Sequence, residues 1–359
     1  MLIKSLNLAN FRNYENAHID FEKNLNMIIG KNGQGKTNLI EAIYMLSLGR
    51  SFRTNKDKEM VMFETQNAYI SSIVESMDRE FKIEIKMGKD IKKAIKINSI
   101  PIEKLTDLLG IINIVIFSPE DLKLVREGPK ERRAFMDREL SQIRPSYYQN
   151  LYTYQKTLLQ RNNLLKRDKV DKGLLDVYDM QLASYGFKIM EQRKSFIEKI
   201  GPIAKKNHHR ISSGKENLSV KYNPNINISN KSSNDLEALF KEARNEDLNR
   251  RTTTIGPHKD DLSIFINDME IRSFGSQGQK RSAAISLKLS EIELIYEEKD
   301  EYPVVLLDDI FSELDIQRQM MLLDNLKGIQ TFVTTTENID IDKDSKIYNI
   351  ENAIISMIN

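Results

Sequence analysis

Hydrophobic and polar positions alternate through much of the first third of the chain. An alternation of period two is typical of half-buried antiparallel strands, and a continuous apolar run indicates a strand that is buried on both faces. The pattern predicts one early helix over residues 36–47. It predicts strands over residues 1–8, 19–29, 69–75, 80–87, 93–97 and 111–117. We therefore expect this third of the chain to be rich in β-structure.

Apolar residues recur at steps of three and four through the middle of the chain. They form two runs, over residues 147–165 and 175–200, which are separated by a charged turn at 166–173. This spacing predicts two amphipathic helices that pack as an antiparallel pair. Strand patterns return at residues 262–267, 303–308 and 331–336. A helical middle between β-rich ends predicts one domain that is split by an insertion.

Charge is divided unevenly along the chain. Residues 126–250 hold 25 Lys and Arg against 16 Asp and Glu, a net charge of +9, and the remaining residues have a net charge of −7. A basic region of this kind favours a polyanionic partner, although a solvated helical surface has the same composition.

The chain has no cysteine, which excludes disulfides and fits a reducing compartment. No apolar run reaches the roughly 18 residues of a membrane span, so we expect a cytoplasmic protein without a membrane partner.

The sequence GKNGQGKT fits the phosphate-binding pattern G-x-x-x-x-G-K-T. It follows an apolar strand and opens the predicted helix, which is the context that this motif requires. Its backbone N–H groups can surround phosphate, the Lys36 ammonium can neutralise the β- and γ-phosphates, and the Thr37 hydroxyl can bind Mg²⁺. The residues expected to contact ATP are Gly30, Lys31, Asn32, Gly33, Gln34, Gly35, Lys36 and Thr37.

The run PVVLLDDIFSELD, residues 303–315, supplies the acidic element that a phosphate loop needs for its metal. Four apolar residues lead through a buried strand to Asp308, which we expect to bind Mg²⁺ directly or through water. Asp309 follows, and its carboxylate is placed to polarise the attacking water. Adjacent carboxylates repel each other unless a cation neutralises them, which favours the metal interpretation. Asp309 and Lys36 are therefore the catalytic candidates.

A second turn rich in glycine, FGSQGQ, opens another predicted helix at residues 274–279. Backbone N–H groups at such a turn bind an anion, yet one nucleotide seldom needs two phosphate turns. The combination of this turn with a P-loop resembles the ATP-binding-cassette class, in which the signature turn of one subunit binds the γ-phosphate that its partner holds. The resemblance assigns that role to Ser276, Gly278 and Gln279, and it implies an ATP-dependent head-to-tail homodimer.

The cassette resemblance also assigns roles to residues near the C-terminus, and the chain departs from the cassette pattern at two positions. The loop SELD matches the loop that crosses the dimer interface, with Ser312 and Asp315 as its candidate contacts, and residues 334–336 stand where the class senses the γ-phosphate. Asp309 replaces the glutamate of most members, so its reach to water is shorter and turnover is expected to be slow. No glutamine follows the strand 111–117. The candidates for the Mg²⁺-sensing position in its place are Ser118, Glu120 and Asp121.

Six segments carry a closer resemblance that extends over nearly the whole chain. They are, in order, LANFRNYENAHIDF, GKNGQGKTNLIEAIYMLSLGRSFR, FSPEDLKLVREGPKERRAFMD, TTTIGPHKDDL, SFGSQGQKRS and LLDDIFSELD. With them the chain resembles the RecF family, bacterial recombination-mediator ATPases of the ABC/SMC type. The resemblance implies an α/β fold: an ABC-type P-loop ATPase head, with a mixed sheet and an antiparallel β-subdomain, and an inserted α-helical lobe. We expect the head over residues 1–125 and 251–359 and the basic lobe over residues 126–250.

The family resemblance also implies a function. A homodimer with ATP and Mg²⁺ would clamp single-stranded, gapped or junction DNA, bind a RecR-type mediator protein, and act in replication, recombinase loading and SOS induction. Hydrolysis would be slow and would open the dimer, with no metabolic substrate. Two alternatives stay open. One is the cytoplasmic ATPase subunit of a transporter, which the long basic insertion disfavours; the other is an ATPase-nuclease of related fold, which needs a further carboxylate cluster for two metals.

Several basic residues are weaker candidates. Arg12 resembles the arginine that related ATPases direct at bound phosphate, although an exposed turn arginine is an equal alternative. His258 and Lys259 lie on a Gly-Pro turn that either senses nucleotide or DNA or simply caps the next strand. The pair His208 and His209 is expected on a solvated basic face. DNA contacts are otherwise unknown, and the candidates, with salt bridges as the alternative for the two arginines, are Arg132, Arg133, Lys205 and Lys206.

Overall fold

The chain folds into two compact units. The computed structural model describes residues 1–311, 314, 316–336 and 345–358. At residues 316 and 317 it describes the backbone only. The first unit joins Met1–Asp121 to Lys288–Asn359, and the second is the intervening segment Leu122–Leu287. No helix among the described residues is both long and apolar enough to cross a membrane.

Strands and helices occur in both units. The strands described are β1 (Leu2–Phe11), β2 (Tyr14–Asp20), β3 (Leu25–Ile29), β4 (Asn67–Ser76), β5 (Arg79–Gly88), β6 (Ala94–Ile97), β7 (Ile100–Pro101), β8 (Ile114–Phe117), β9 (Leu218–Asn223), β10 (Asp261–Ile266), β11 (Met269–Glu270), β12 (Val304–Leu307), β13 (Thr331–Thr335), β14 (Lys346–Glu351) and β15 (Ile354–Ile358). The α-helices described are α1 (Lys36–Leu48), α2 (Leu122–Arg126), α3 (Pro129–Ile143), α4 (Pro145–Leu165), α5 (Lys172–Ile211), α6 (Ser233–Glu242), α7 (Arg244–Arg250), α8 (Ile271–Phe274), α9 (Gln277–Lys299) and α10 (Ile316–Asn325).

The described residues of the first unit form two six-stranded sheets. One has the order β2-β1-β4-β5-β6-β7 and is antiparallel throughout. Its strands alternate as the sequence predicts: in β5 the side chains of Ile83, Ile85 and Met87 are buried, and Lys82 and Lys86 between or beside them are exposed. The predicted antiparallel β-subdomain is thereby confirmed.

The other sheet of the first unit holds the phosphate loop. Its order is β15-β14-β3-β13-β12-β8, with parallel pairing except between β14 and β15. Every residue of β8 and β12 is buried, as the continuous apolar runs in these segments predict. Because β3, β12 and β13 are parallel, their carboxyl ends lie at the same edge of the sheet. The motifs that follow β3 and β12 therefore meet there.

Residues 19–29 do not form the single strand that alternation predicts. β2 ends at Asp20 in the antiparallel sheet, and β3 begins at Leu25 in the mixed sheet. The side chain of Asn26 holds the connection between them, because it accepts from the Glu22 backbone N–H at 2.9 Å and donates to the Glu22 carbonyl at 2.9 Å. Alternation reports which faces are buried and carries no signal for a change of sheet.

The second unit is built on the predicted antiparallel pair of long helices, α4 and α5. Arg161 in α4 contacts Asp179 in α5, and Tyr147 at the start of α4 contacts Arg193 farther along α5. Contacts that pair later positions of one helix with earlier positions of the other require opposite directions. The prediction of two helices with an antiparallel arrangement is therefore confirmed.

The second unit extends beyond the predicted lobe of residues 126–250. Strand β10 pairs along its whole length with β9, which lies within the predicted lobe, and a short third strand, β11, completes this sheet. Because the 262–267 strand finds its partner there, residues 251–287 belong to the second unit instead of the ATPase head. The predicted boundary at Arg250 is corrected to a position within α9.

The Gly-Pro turn at residues 256–259 is held by a partly buried histidine. The hydroxyl of Tyr154 lies 2.7 Å from Nδ1 of His258, and the carbonyl of Thr253 lies 3.1 Å from Nε2. A carbonyl only accepts, so Nε2 carries the proton and Nδ1 accepts from Tyr154. Burial lowers the pKa of His258 to about 4. The turn is therefore stabilised by the neutral imidazole, which favours the structural interpretation of His258 over a sensing role.

This arrangement predicts that acid destabilises the second unit. A histidine with a depressed pKa stabilises the folded state above its unfolded pKa of about 6.5 and loses that contribution as the pH falls toward 4. At about pH 5 we expect the free energy of unfolding to have fallen by about 2 kcal/mol through this group. His258→Gln lacks the titration, so its stability should depend less on pH when both proteins are unfolded by denaturant between about pH 7.5 and pH 5. Parallel pH curves for the two proteins would contradict the assignment.

Candidate nucleotide site and signature turn

The phosphate loop leaves β3 and enters α1 through a tightly fitted backbone. A Cβ on Gly30 would lie 2.4 Å from the carbonyl oxygen of Ile350, so only glycine fits beside β14. Gly35 has φ of 117°, a conformation that other residues rarely adopt, and a Cβ there would meet the side chains of Asn13 and Tyr14. These two positions explain why the loop requires glycine where the motif has it.

Lys36 and Thr37 occupy the first turn of α1, where the motif predicts them. The Lys36 ammonium is buried and donates to the carbonyls of Gly30 at 2.6 Å and Lys31 at 3.1 Å, so it lies across the loop. The Thr37 hydroxyl lies 3.1 Å from Oδ1 of Asp308, which follows β12. The structure thus brings together two motifs that are 271 residues apart.

Asp308 and Asp309 are linked through the hydroxyl of Thr334 at the end of β13. This hydroxyl lies 2.9 Å from Oδ1 of Asp308 and accepts from the Asp309 backbone N–H at 2.9 Å. Burial raises the pKa of Asp308, and the neighbouring Asp309 adds to that effect. A divalent cation would offset both, and a carboxylate with a threonine hydroxyl is a donor set that Mg²⁺ accepts. The residues present therefore fit the expected Mg²⁺.

Ser118 directly follows the residue of β8 that is bonded to Asp308, unlike the other two candidates for the Mg²⁺-sensing position. β8 pairs with β12 so that Phe117 lies opposite Leu307, and the Asp308 backbone N–H donates to the Phe117 carbonyl at 2.8 Å. The carboxylate of Asp121 accepts from the Ser118 backbone N–H at 2.7 Å, and the side chain of Glu120 is exposed. Ser118 is buried and follows Phe117 directly, so the geometry favours it.

The N-terminal segment NFRNY supports the loop in ways that the motif does not reveal. Asn13 donates from its amide to the Gln34 carbonyl at 3.2 Å, and the Tyr14 hydroxyl donates to the Gly35 carbonyl at 3.0 Å. Sequence reasoning missed both residues, because Asn13 acts on the loop from the turn between β1 and β2, and Tyr14 from the start of β2, each 21 positions earlier in the chain. We identify them as supports of the loop backbone.

Arg12 has a structural partner in the same region. Its guanidinium binds both carboxylate oxygens of the buried Glu41 in α1, at 2.8 and 2.7 Å, and donates to the Glu59 carbonyl at 2.6 Å. The phosphate contact stays a prediction, and the bidentate pair means that Arg12 also fixes α1 against the N-terminal strands. An exposed turn arginine, the other alternative, does not describe this side chain, which is 18% exposed.

A basic cavity of 650 Å³ lies beside the loop-supporting residues. Four cationic side chains and one carboxylate line it, and the buried Glu41 already pairs with two of these cations, Arg12 and Arg53. Lys58 and Lys89 keep the lining basic, which favours an anionic or strongly polar ligand. Its lining residues are Arg12, Asn13, Asn38, Arg53, Lys58, Glu59, Val61, Phe63 and Lys89.

The signature turn belongs to the second unit and starts α9 with a capping box. Ser276 Oγ accepts from the Gln279 backbone N–H at 3.2 Å, and Gln279 Oε1 accepts from the Ser276 backbone N–H at 2.9 Å. Ser276 is exposed, and its capping contact uses an oxygen lone pair, which leaves the O–H hydrogen for another acceptor. A Cβ on Gly278 would have only the Ser276 hydroxyl, at 3.9 Å, near it, so the turn is open to an approaching group.

The DNA candidates fall into two groups. Arg132 is 5% exposed on its side chain and binds both oxygens of Asp261, at 2.7 and 2.9 Å. This pair holds α3 to β10 with the guanidinium buried, so Arg132 is not available to DNA, which corrects the expectation for it. Arg133 donates to the Asp260 carbonyl at 2.7 Å and keeps partial exposure, and Lys205 and Lys206 are exposed on α5. These three stay predictions.

Two further expectations have different outcomes. Ser312 and Asp315, the predicted contacts of the dimer-interface loop, lie outside the described residues. His208 was expected on a solvated basic face, and this is wrong: its side chain is fully buried and contacts Ser286 and Glu216. His209, in contrast, is exposed. The buried face of α5 extends beyond the last apolar residue of the predicted run, Ile200, and His208 lies on that face.

Comparison with known proteins decides the family. The family model described as the RecF/RecN/SMC N terminal domain matches residues 2–356. The DNA replication and repair protein RecF of Clostridioides difficile (strain 630) is 52% identical to the chain and covers 100% of it and 99% of that protein. The chain belongs to the RecF family. The RecF protein of Clostridium tetani (strain Massachusetts / E88) is 46% identical, with 98% of each chain covered.

Solved structures agree with this RecF assignment. The recombination mediator protein RecF-ATPrS in the RecFOR pathway matches with a TM-score of 0.94 and 37% identity, over 100% of this chain and 98% of that one. Its RecF-ATP counterpart matches with a TM-score of 0.93 and 38% identity, over 99% and 97%. The Smc head domain bound to the C-terminal domain of ScpA, from Pyrococcus furiosus, matches with a TM-score of 0.58 at 17% identity, a likeness of fold alone, over 99% and 95%. The predicted ABC/SMC-type α/β ATPase head is confirmed.

Proposed function

We propose that this RecF-family chain is an ATP-controlled DNA clamp that acts in the cytoplasm in DNA replication and recombinational repair. The observation that carries the proposal is the contact between the Thr37 hydroxyl and the buried Asp308, which completes a P-loop site for ATP beside an acidic strand end. The names of its relatives support the role in DNA replication and repair, and the solved structure of RecF-ATP supports the nucleotide.

ATP would control the clamp through two turns in different protomers. The P-loop of one protomer would bind the phosphates, with Lys36 as the positive charge for the β- and γ-phosphates, and the partner's turn at residues 275–279 would bind the γ-phosphate. Thr37 and Asp308 would hold Mg²⁺, which would supply positive charge to the phosphates. Asp309 would polarise the attacking water, and its short side chain makes hydrolysis slow. Hydrolysis removes the γ-phosphate and with it the contact that closes the dimer.

DNA would be held by the basic segment, residues 126–250, whose net charge is +9. Single-stranded, gapped or junction DNA is the proposed substrate, and a RecR-type mediator protein is the proposed partner. Recombinase loading and SOS induction would be the outcomes of this binding. We retain Arg133, Lys205 and Lys206 as the proposed phosphate contacts.

The proposal predicts DNA binding that depends on both ATP and salt. Binding through several phosphates releases counterions, so affinity for gapped duplex DNA should fall on the order of 10³-fold between about 50 and 200 mM salt. Fluorescence anisotropy with ATP-Mg²⁺ measures this, and Lys36→Ala is the control that should lose the effect of ATP. Equal DNA affinity with and without ATP in the unmodified protein would contradict the clamp.

The same preparations separate the two alternatives. A transporter subunit would associate with lipid vesicles and would not respond to DNA. An ATPase-nuclease would cleave the gapped duplex when Mg²⁺ or Mn²⁺ is added, and the products would appear on a denaturing gel. The proposed clamp leaves the DNA intact and stays in the supernatant when vesicles are sedimented.

A further inference from the structure

The side chain of Gln279 is engaged at both ends by its own protomer. Its Oε1 accepts from the Ser276 backbone N–H at 2.9 Å, and its Nε2 donates to Oε1 of Glu216 at 2.8 Å. An amide that is bonded at both ends has a fixed rotamer and fixes the atoms it touches. The expected phosphate ligand Gln279 therefore serves as a link between the signature turn and Glu216.

Glu216 is in turn bonded to the buried end of α5. Its Oε2 lies 3.0 Å from Nε2 of His208, and Nδ1 of His208 lies 3.0 Å from Oγ of Ser286 in α9. His208 and Ser286 are both fully buried, whereas the Glu216 side chain is 23% exposed. Hydrogen-bond contacts thus run from Ser286 through His208 and Glu216 to Gln279, and they join the end of α5 to the start of α9 within the second unit.

The start of α9 has a second anchor, at Gln277. The guanidinium of Arg126, the last residue of α2, donates to Oε1 of Gln277. The first backbone N–H groups of a helix have no acceptor within it, so the direction in which they point is set by whatever holds the first turn. Two side-chain anchors, Arg126 and Glu216, hold this turn from elements that lie far from it in sequence.

We propose that Glu216 is a positioning residue for the signature turn: it holds the Gln279 amide so that the Ser276 hydroxyl and the first N–H groups of α9 face the partner's nucleotide, and it ties this geometry to α5 through His208. The inference rests on the proposed dimer. It adds a residue that lies outside every motif of the nucleotide site and that connects the DNA-facing candidate helix to that site. Lys205 lies on α5, within one turn of His208.

A double-mutant cycle in the full-length protein tests the proposal. Glu216→Ala should weaken ATP-dependent dimerisation about tenfold, measured by sedimentation, while the affinity of the monomer for a fluorescent ATP analogue is unchanged. Because Glu216 acts through Gln279, Glu216→Ala should add less than about twofold in a Gln279→Ala background. Glu216→Gln retains an acceptor oxygen for Gln279 and should restore dimerisation. Glu237→Ala is the matched control, because it removes a carboxylate of the same unit that is about as exposed, at 25%, and is paired with Lys241 instead of Gln279.

Amide hydrogen exchange keeps this test separate from that of the dimer itself. In the monomer without ATP, Glu216→Ala should speed exchange of the amides of residues 276–280 about fivefold, and Glu216→Gln should not. Multiplicative effects in the cycle, or unchanged exchange in Glu216→Ala, would overturn the positioning role. A wild-type protein that stays monomeric with ATP would overturn the proposed clamp, and the exchange measurement would still decide the role of Glu216.

Discussion

Arg161→Met is expected to lower the free energy of unfolding by about 3–5 kcal/mol. Arg161 is fully buried and donates to Asp179 and Asp247 at 2.7 Å each, and to the Thr253 hydroxyl at 2.8 Å. Methionine fills similar volume but leaves two buried carboxylates without that cation. Breaking one side of a buried ionic network costs more than the network contributes as a whole, because the remaining charge has no compensation.

Chemical denaturation followed by circular dichroism measures this loss. Arg250→Met is the matched control, since it removes the same side chain from an exposed pair with Glu246, at 67% exposure, and should cost less than about 0.5 kcal/mol. Asp179 also binds Arg244 at 2.7 Å, so the network does not disappear entirely in the variant. A loss below about 1 kcal/mol for Arg161→Met would contradict the view that this pair of aspartates depends on Arg161.

The first unit could be predicted closely because its chemistry is carried by local runs of sequence. The apolar run before Asp308 dictates a buried strand, and the glycine motif after β3 dictates a phosphate turn. Parallel pairing then requires Thr37 and Asp308 to meet at one edge. The supports of the loop, Asn13 and Tyr14, could not be predicted, because neither an amide in a turn nor a phenol in a strand indicates which backbone carbonyl it reaches.

The second unit was harder to predict because its specific contacts join distant positions. Helical periodicity identifies the apolar stripe of α4 and α5, but it does not reveal that Arg161 lies on that stripe with Asp247 as its partner. The boundary of the unit was misplaced for a similar reason, since the pairing of β10 with β9 decides it and alternation cannot name a partner. Gln279 fits the signature pattern, yet its amide is bonded to Glu216, which is 63 residues away.

The second large effect is expected on ATP-dependent dimerisation, from a substitution in the signature turn. Ser276→Arg is expected to abolish ATP-dependent dimerisation, because a long side chain would fill the open space in front of the turn where the partner's γ-phosphate approaches. Arginine also removes the helix cap, at a cost of about 1 kcal/mol. Ser276→Asp separates the two effects, since aspartate keeps the cap and its carboxylate repels the phosphate. Ser229→Arg, at an exposed serine of the same unit, is the control for added charge and bulk.

Solution mass by light scattering, with and without ATP-Mg²⁺, tests the central claim most directly. The chain has a mass of 41.7 kDa, and we expect a monomer that becomes a dimer only with ATP in the unmodified protein and in Ser229→Arg. Ser276→Arg and Ser276→Asp should bind ATP and remain monomeric. An unmodified protein that stays monomeric with ATP bound, or Ser276 variants that dimerise as it does, would contradict the claim that the signature turn closes an ATP-dependent clamp.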